Sequence, residues 1–500
     1  MGIMSALYKV RVFVWGVPPE TAAERKLLRK IDWFILSFIC LNFWSNYLNR
    51  ANFANAYVSG MKADLNFKGN EYNNVITMFT VGYIVGQIPN VLALQYIPAR
   101  YYLSFMAMLW GIFSACVSKV TTVQQLYAVR FLTAVAESSA FAGSHYILGA
   151  WYKEEELGKR SGIYASTAQL GSLFSGIMQA SIHTNLNGSH GLAGWRWLFI
   201  IDACIAVGIA IYGFIFFPDT PETTKAFYFS KEERELAIAR LPQKTKTVMS
   251  WDLPKRVIGS WQYWGFSALF TVSSMLEVYG FLGIFTLWLS AEKARLYFIY
   301  DSVDYTVSKI NYYGDGLVAV GIAVTWAAAL ITDYTHSRHY VNYFMAGALM
   351  FTAIVLRVYP SSHGLIFAAF CIAGCGYAGQ ATNFAWANLA TKHDDQLRAV
   401  TLASMNMWSN VLAAWWGQVF YPSTDAPRWE KGHIVTMVMC ILTVLVATGV
   451  WYMDRQGAVQ RGVDRRYNPE MDYVEEVVSS KPTMDEEADG IASLEKKDGF

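Results

Sequence analysis

Apolar blocks of about 20 residues recur along this chain, separated by short polar interruptions. At 1.5 Å per residue, a helix of that length crosses the roughly 30 Å hydrocarbon core of a bilayer. Charged residues make up only 16% of the 500 positions, too few for a chain that must wet its whole surface, since soluble domains carry about 25%. Twelve spans are expected, near 31–52, 73–96, 102–118, 123–150, 161–182, 195–217, 260–290, 313–332, 340–358, 364–389, 398–420 and 433–453. The fold class is therefore an all-α polytopic membrane protein.

The spacing of the blocks divides the chain in two. A cytosolic N-terminal segment (1–30) precedes a six-helix bundle (31–217), a cytosolic connector (218–259), a second six-helix bundle (260–453) and a disordered acidic tail (454–500). No cleavable signal pattern opens the chain, so the first span is expected to direct insertion itself. Within the connector, FSKEERELAIARL (229–241) reads as a short amphipathic helix at the membrane surface, with Ser230 as N-cap and Glu233 as its capping-box partner. Lys and Arg concentrate in the loops on the side of the connector and both termini, which places those in the cytosol. The sequon at Asn187, between spans five and six, then faces outside and is a candidate glycosylation site.

Several classes of function find no support. The six cysteines fall inside apolar blocks without metal-ligand spacing. Neither a phosphate-binding loop nor a hydrolase motif is present, and the basic residues are dispersed among loops rather than gathered for nucleic acid. No cofactor, metal or enzymatic activity is expected. The chain is expected to sit in the lipid bilayer as a monomer.

The chemistry sits where charge interrupts the apolar blocks. RFLTAVAESSAFAG (130–143) places Arg130 and Glu137 inside the fourth span, where each costs about 2.5–3.5 kcal/mol at a helix centre. Seven residues apart, they share one helix face at about 10.5 Å, too far to satisfy each other. Each needs a partner on another helix, in a cavity or on a ligand. An anion-binding cation and a protonatable acid facing a central cavity fit this pattern; a fixed structural strut is the alternative. Arg50 lies near the outer end of the first span, where snorkelling to the interface competes with a cavity position. Glu277, mid-way along the seventh span, either faces the cavity or pairs with Arg50 or Arg130. In the tenth and eleventh spans Gln380, Asn383, Asn406 and Asn410 recur at helical spacing. They serve as interhelical hydrogen-bonding groups or as ligand contacts; Asn383 and Asn406 are candidate substrate contacts, Gln380 and Asn410 candidate cavity residues.

Longer stretches carry a family resemblance over roughly residues 28–455. NYLNRANFANAYVSGMKADL (46–65), the block from Arg130 through WYKEEELGKRSGIY (151–164), GLAGWRWLFIIDACIAV (191–207), ASMNMWSNVLAAWW (403–416) and YPSTDAPRWEKGH (421–433) resemble the major facilitator superfamily. Within it they resemble the fungal branch of the anion:cation symporters. The segment ITDYTHSR (331–338) resembles the loop motif of the second half, whereas QYIPARYYL (95–103) retains only Arg100 of the first-half motif. The resemblance implies a plasma-membrane, proton-coupled importer of a small carboxylate, with pantothenate permeases the most similar group. Biotin, nicotinate, allantoate or other monocarboxylate uptake, metabolite export and nutrient sensing are the alternatives. It also implies that Arg50, Arg130 and Glu137 line the central cavity. Many members place an acid immediately before the first-helix Arg; Asn49 stands there instead, so the resemblance supplies no second proton site.

Overall fold

The computed structural model describes residues 21–241, 253–300, 306–335, 337–391 and 394–460. The expectations for residues 1–20 and for the tail beyond 460 lie outside the described residues. Helix α1 (Ala22–Ile31) is capped by Thr21, whose Oγ1 accepts the Glu24 N–H at 3.2 Å. A π-helical stretch, Asp32–Leu36, leads into α2 (Ser37–Ala56). The first span thus runs past residue 52, and Arg50 lies inside it rather than at its outer end. The asparagines of this helix are interior groups: Asn42, Asn46, Asn49, Asn52 and Asn55 are all buried. Ser175 Oγ, for example, donates to Asn52 Oδ1 at 2.6 Å and accepts from Asn55 Nδ2 at 2.8 Å.

The first half continues with α3 (Glu71–Tyr96), α4 (Ala99–Val117), α5 (Val123–Trp151), α6 (Glu154–Leu186) and α7 (Gly194–Phe216). The connector holds α8 (Lys231–Ala239), whose N-terminus has the capping box expected of Ser230 and Glu233. Rather than lying free at the surface, α8 docks on α1: Lys30 Nζ donates to Glu233 Oε2 at 2.7 Å and to the Tyr228 carbonyl at 2.8 Å. After α9 (Leu253–Gly259), the second half comprises α10 (Trp261–Ser274), α11 (Val278–Phe281), α12 (Ile284–Tyr300), α13 (Val307–Thr335), α14 (His339–Val358), α15 (His363–Ile372), α16 (Ala378–Ala390), α17 (Asp395–Phe420) and α18 (Glu430–Gln460).

Two spans of the second half are discontinuous. The α10 helix ends in a 3₁₀ turn, Met275–Glu277, before α11, and Gly283 turns through φ +62° before α12. Between α15 and α16 lies a second 3₁₀ stretch, Ala373–Tyr377. The two breaks touch: a Cβ on Gly376 would stand 2.9 Å from the Leu276 carbonyl, so only glycine permits the approach. With each interrupted span taken as one, twelve helical spans form two six-helix halves. Among the described residues, seven are long and apolar enough to cross a membrane by composition alone. The others, α2, α3, α5, α6 and α17, are as long but more polar. In α2 and α5 that polarity is turned into the protein, where Asn49, Arg130, Thr133 and Glu137 are buried.

Small residues bring the helices of the first half together. Gly82 and Gly86 on α3 face α5 so closely that a Cβ on Gly86 would lie 2.8 Å from the Val135 carbonyl, the packing that a small-x-x-x-small pattern supplies in lipid. Tyr83, between them, is held against the centre of the half. Several hydrogen bonds cross between the halves near the α2–α3 turn. Asn73 Nδ2 donates to the Gly417 and Tyr421 carbonyls, both at 3.0 Å, and its Oδ1 accepts the Ser423 N–H at 2.8 Å. Tyr72 Oη donates to the Leu282 carbonyl at 2.9 Å, and Thr77 Oγ1 to that of Ala414 at 2.8 Å. Beside them α6 meets α13, where Gly176 leaves space for the Asp315 carboxylate.

Candidate functional site

Two turns of α5 separate Arg130 from Glu137, and both side chains point inward to α2. Glu137 is fully buried, and its Oε2 lies 3.5 Å from Arg50 Nε. No hydrogen bond reaches either Glu137 oxygen, and Arg130 Nε likewise has no acceptor. Buried polar atoms left so typically cost about 1–3 kcal/mol each, so they mark places where a proton or ligand would be favourable. Arg50 is the partner of Glu137, as the spacing within α5 required of another helix; Glu277 pairs with neither arginine among the described contacts.

Aromatic faces hold the two guanidinium groups. The Arg50 Cζ sits 4.5 Å from the Tyr83 ring centre, 5.0 Å from Tyr47 and 5.3 Å from Phe79. For Arg130 the distances are 4.6 Å to Phe79 and 5.5 Å to Phe53. Phe79 therefore serves both cations. Such contacts contribute about 0.5–2 kcal/mol each and keep two like charges in one site without a carboxylate bound to each.

Asn49 joins a further acid to this centre. Arg130 Nη1 donates to Asn49 Oδ1 at 2.7 Å, and Asn49 Nδ2 donates to Asp202 Oδ2 at 2.6 Å and to Ser114 Oγ. Asp202 is the one acid in α7, a helix of mean hydropathy 2.4, and it is 1% exposed. Sequence reading overlooked it, although a single carboxylate in so apolar a span was the available signal. Tyr47, Phe79 and Tyr83 carried no such signal, because aromatic residues abound in every span.

The second half contributes the opposite wall. Tyr47 lies near Gln380 and Glu277, and Tyr377 lies near both Tyr47 and Glu277. Glu277 stands at the break between α10 and α11, with no ion pair among the described residues. Arg50, Arg130, Glu137 and Asn49 thus converge, with Glu277 and Gln380 facing them. Asn383 does not join them. It is fully buried within the second half, where Nδ2 donates to Ser273 Oγ at 3.0 Å and to Asn342 Oδ1 at 3.1 Å, and Oδ1 accepts from Asn342 at 2.8 Å. Both of its amide protons are committed there, which is the interhelical role that helical spacing left open beside a substrate contact. Asn410 Nδ2 donates back to Asn406 Oδ1 at 3.1 Å, so these two amides bond along α17. Asn187 is exposed at the end of α6, its Oδ1 accepting the Gly194 N–H at 2.9 Å.

A helical membrane protein in two six-helix halves, with a buried ionic site on the inner face of one and polar groups facing it from the other, has the construction of a transporter. A family profile described as the Major Facilitator Superfamily matches residues 39–417, and the chain belongs to that family. The pantothenate transporter FEN2 of Saccharomyces cerevisiae is 41% identical over 435 residues, 85% of this chain and 83% of the relative. The pantothenate transporter liz1 of Schizosaccharomyces pombe is 40% identical over 467 residues, 93% of this chain and 88% of that one. The vitamin H transporter of Saccharomyces cerevisiae is 29% identical over 430 residues, 84% and 71% of the two chains. Among solved structures, a bacterial homolog of the human lysosomal transporter Spinster, inward-facing and unoccupied, superposes with TM-score 0.60 at 14% identity, covering 87% of this chain and 98% of that one. The xylose transporter XylE of E. coli, in a partially occluded inward-open state, also gives 0.60 at 12% identity, over 84% and 98%. These two likenesses concern the fold.

Proposed function

We propose that the protein imports a small organic anion together with a proton, and that the anion is pantothenate. The observation that carries this reading is the contact between Arg50 and Glu137, a cation held by a buried acid whose oxygens accept no hydrogen bond. A substrate carboxylate and an ionised Glu137 compete for Arg50. Protonation of Glu137 frees the guanidinium, and the carboxylate then takes charge-assisted hydrogen bonds from Arg50 and Arg130. By linkage, a bound anion favours protonated Glu137 and a protonated Glu137 favours the anion. Rocking of the two halves about this midplane site carries both across. Release of the proton to the cytosol restores the Arg50–Glu137 contact and expels the anion.

Pantothenate is favoured over other carboxylates by the extent of similarity to two transporters named for it. Its hydroxyl and amide groups are matched chemically by Glu277, Gln380 and the tyrosines of the opposite wall. We assign the protein to the plasma membrane as a monomer, with both termini and the connector cytosolic and Asn187 glycosylated outside. The bonds around Asn73 then close the outer end. Expression in uptake-deficient, vitamin-auxotrophic yeast tests the substrate, with labelled pantothenate, biotin and nicotinate compared in parallel. Pantothenate uptake and growth rescue are expected. Rescue by biotin or nicotinate alone, with the protein at the surface, would overturn the choice.

A further inference from the structure

We propose that Asp202, tied to Arg130 through Asn49, is the fixed counter-charge that makes entry of one proton per anion obligatory. This rests on the reading that Arg50 and Arg130 receive a substrate carboxylate. The buried centre contains two guanidinium groups and two carboxylates: Arg50 beside Glu137, and Arg130 bridged by Asn49 to Asp202. With Glu137 and Asp202 ionised, these four first-half groups sum to zero; Glu277, which faces them from the second half, stands outside this sum. A monoanion would leave one uncompensated negative charge in a low-dielectric interior, so a proton must accompany it. If Asp202 were absent, the centre would be positive by one and would accept the anion with no proton at all.

Glu137 and Asp202 are placed differently for the two tasks. Glu137 touches Arg50 directly and accepts no hydrogen bond, so a proton there releases the cation that binds substrate. Asp202 lies behind Asn49, and its Oδ2 is fixed by the Asn49 amide at 2.6 Å, although its Oδ1, like the Glu137 oxygens, accepts no hydrogen bond. That bond also dictates how the amide lies, because Nδ2 must face Asp202 and Ser114, which leaves Oδ1 to face Arg130. From α2 and α4, therefore, Asp202 meets an amide and a hydroxyl, and the charges that act on it are Arg130 and Glu137 of α5. His183 of α6 lies at the start of α7, against Gly194, more than two turns away. The Tyr57 ring, at the turn after α2, meets Phe67 edge-on and Tyr72 at a tilt. Asp202 is a positioning residue and a charge, with no contact to substrate required.

The test uses the full-length protein in proteoliposomes with labelled pantothenate and an imposed pH gradient. Wild type should concentrate the label about tenfold per pH unit, the limit for one proton per anion. Asp202→Asn keeps the shape but removes the charge. Its accumulation ratio should fall to near one, and its KM should depend less steeply on external pH than that of wild type, while counterflow exchange stays detectable. Restoring the charge nearer Arg130, in the double variant Asn49→Asp with Asp202→Asn, should bring back accumulation. Asp202→Asn accumulating as wild type does, with the same pH profile, would overturn the proposal. So would a double variant that reaches the membrane and exchanges label but does not concentrate it. If Asp202→Asn fails to fold, Asp202→Ser, which also removes the charge, is measured in its place with the same expected and overturning results. Absence of pantothenate uptake by wild type would instead count against the substrate reading, independently of Asp202.

Discussion

At the scale of single residues, the centre separates charge from geometry. Arg50→Lys keeps a cation but loses the planar fork that grips a carboxylate from two nitrogens. Hydrogen bonds to charged groups contribute about 1.5–3 kcal/mol, so KM for the anion should rise tenfold or more, with the pH dependence of uptake retained. Initial rates across external pH check this, and an unchanged KM would place the carboxylate elsewhere. Arg130 and Glu137 were legible in the sequence because charge inside an apolar block demands a reason. Asp202 carried the same signal, but the other charge in its helix, Arg196, stands in the first turn, so no charged pair inside the apolar block drew attention to it. For Asn383 the sequence left two roles open, because helical spacing shows that amides share a face and is silent on whether that face meets a cavity or another helix.

Helices and their junctions set which end of the molecule is closed. Asn73 makes three hydrogen bonds to the end of α17 and the turn beyond it. At about 0.6 kcal/mol for each such bond in a membrane protein, Asn73→Ala should weaken this closure by about 2 kcal/mol, or on the order of thirtyfold in population. Faster labelling of a cysteine introduced near the α2–α3 turn is the expected result; unchanged labelling would contradict it. The docked connector helix responds to pH. Burial alone would raise the Glu233 carboxyl, but Lys30, the Ser230 N–H and Lys26 outweigh it and hold the group below its ordinary value. The dock is thus fully stabilised above the ordinary carboxylate pKa and loses that stabilisation as pH falls through the lowered one. Hydrogen exchange across Lys231–Ala239, corrected for intrinsic rates, should quicken only in that acidic window. Twelve apolar spans and this capping box were readable in advance from block length and local capping chemistry. The helix breaks at Met275–Glu277 and Ala373–Tyr377 were not, since they exist where two chains distant in sequence press backbone on backbone.

For the whole molecule, the first half holds the ionic centre and the second supplies the polar wall that faces it. Glycosylation reports how the assembly sits in the membrane: Asn187→Gln should abolish an endoglycosidase-sensitive mobility shift if the α6–α7 turn faces outside, and an unglycosylated wild type would remove that support. The central claim is that one acid, Glu137, exchanges Arg50 for a proton whenever an anion enters. Its most direct test is pantothenate accumulation by wild type and Glu137→Gln in the same proteoliposomes, under an imposed pH gradient and then in counterflow without one. Wild type should concentrate substrate and Glu137→Gln should only exchange it, its accumulation ratio staying near one at every gradient. Concentrative uptake by Glu137→Gln at the wild-type ratio would contradict the account.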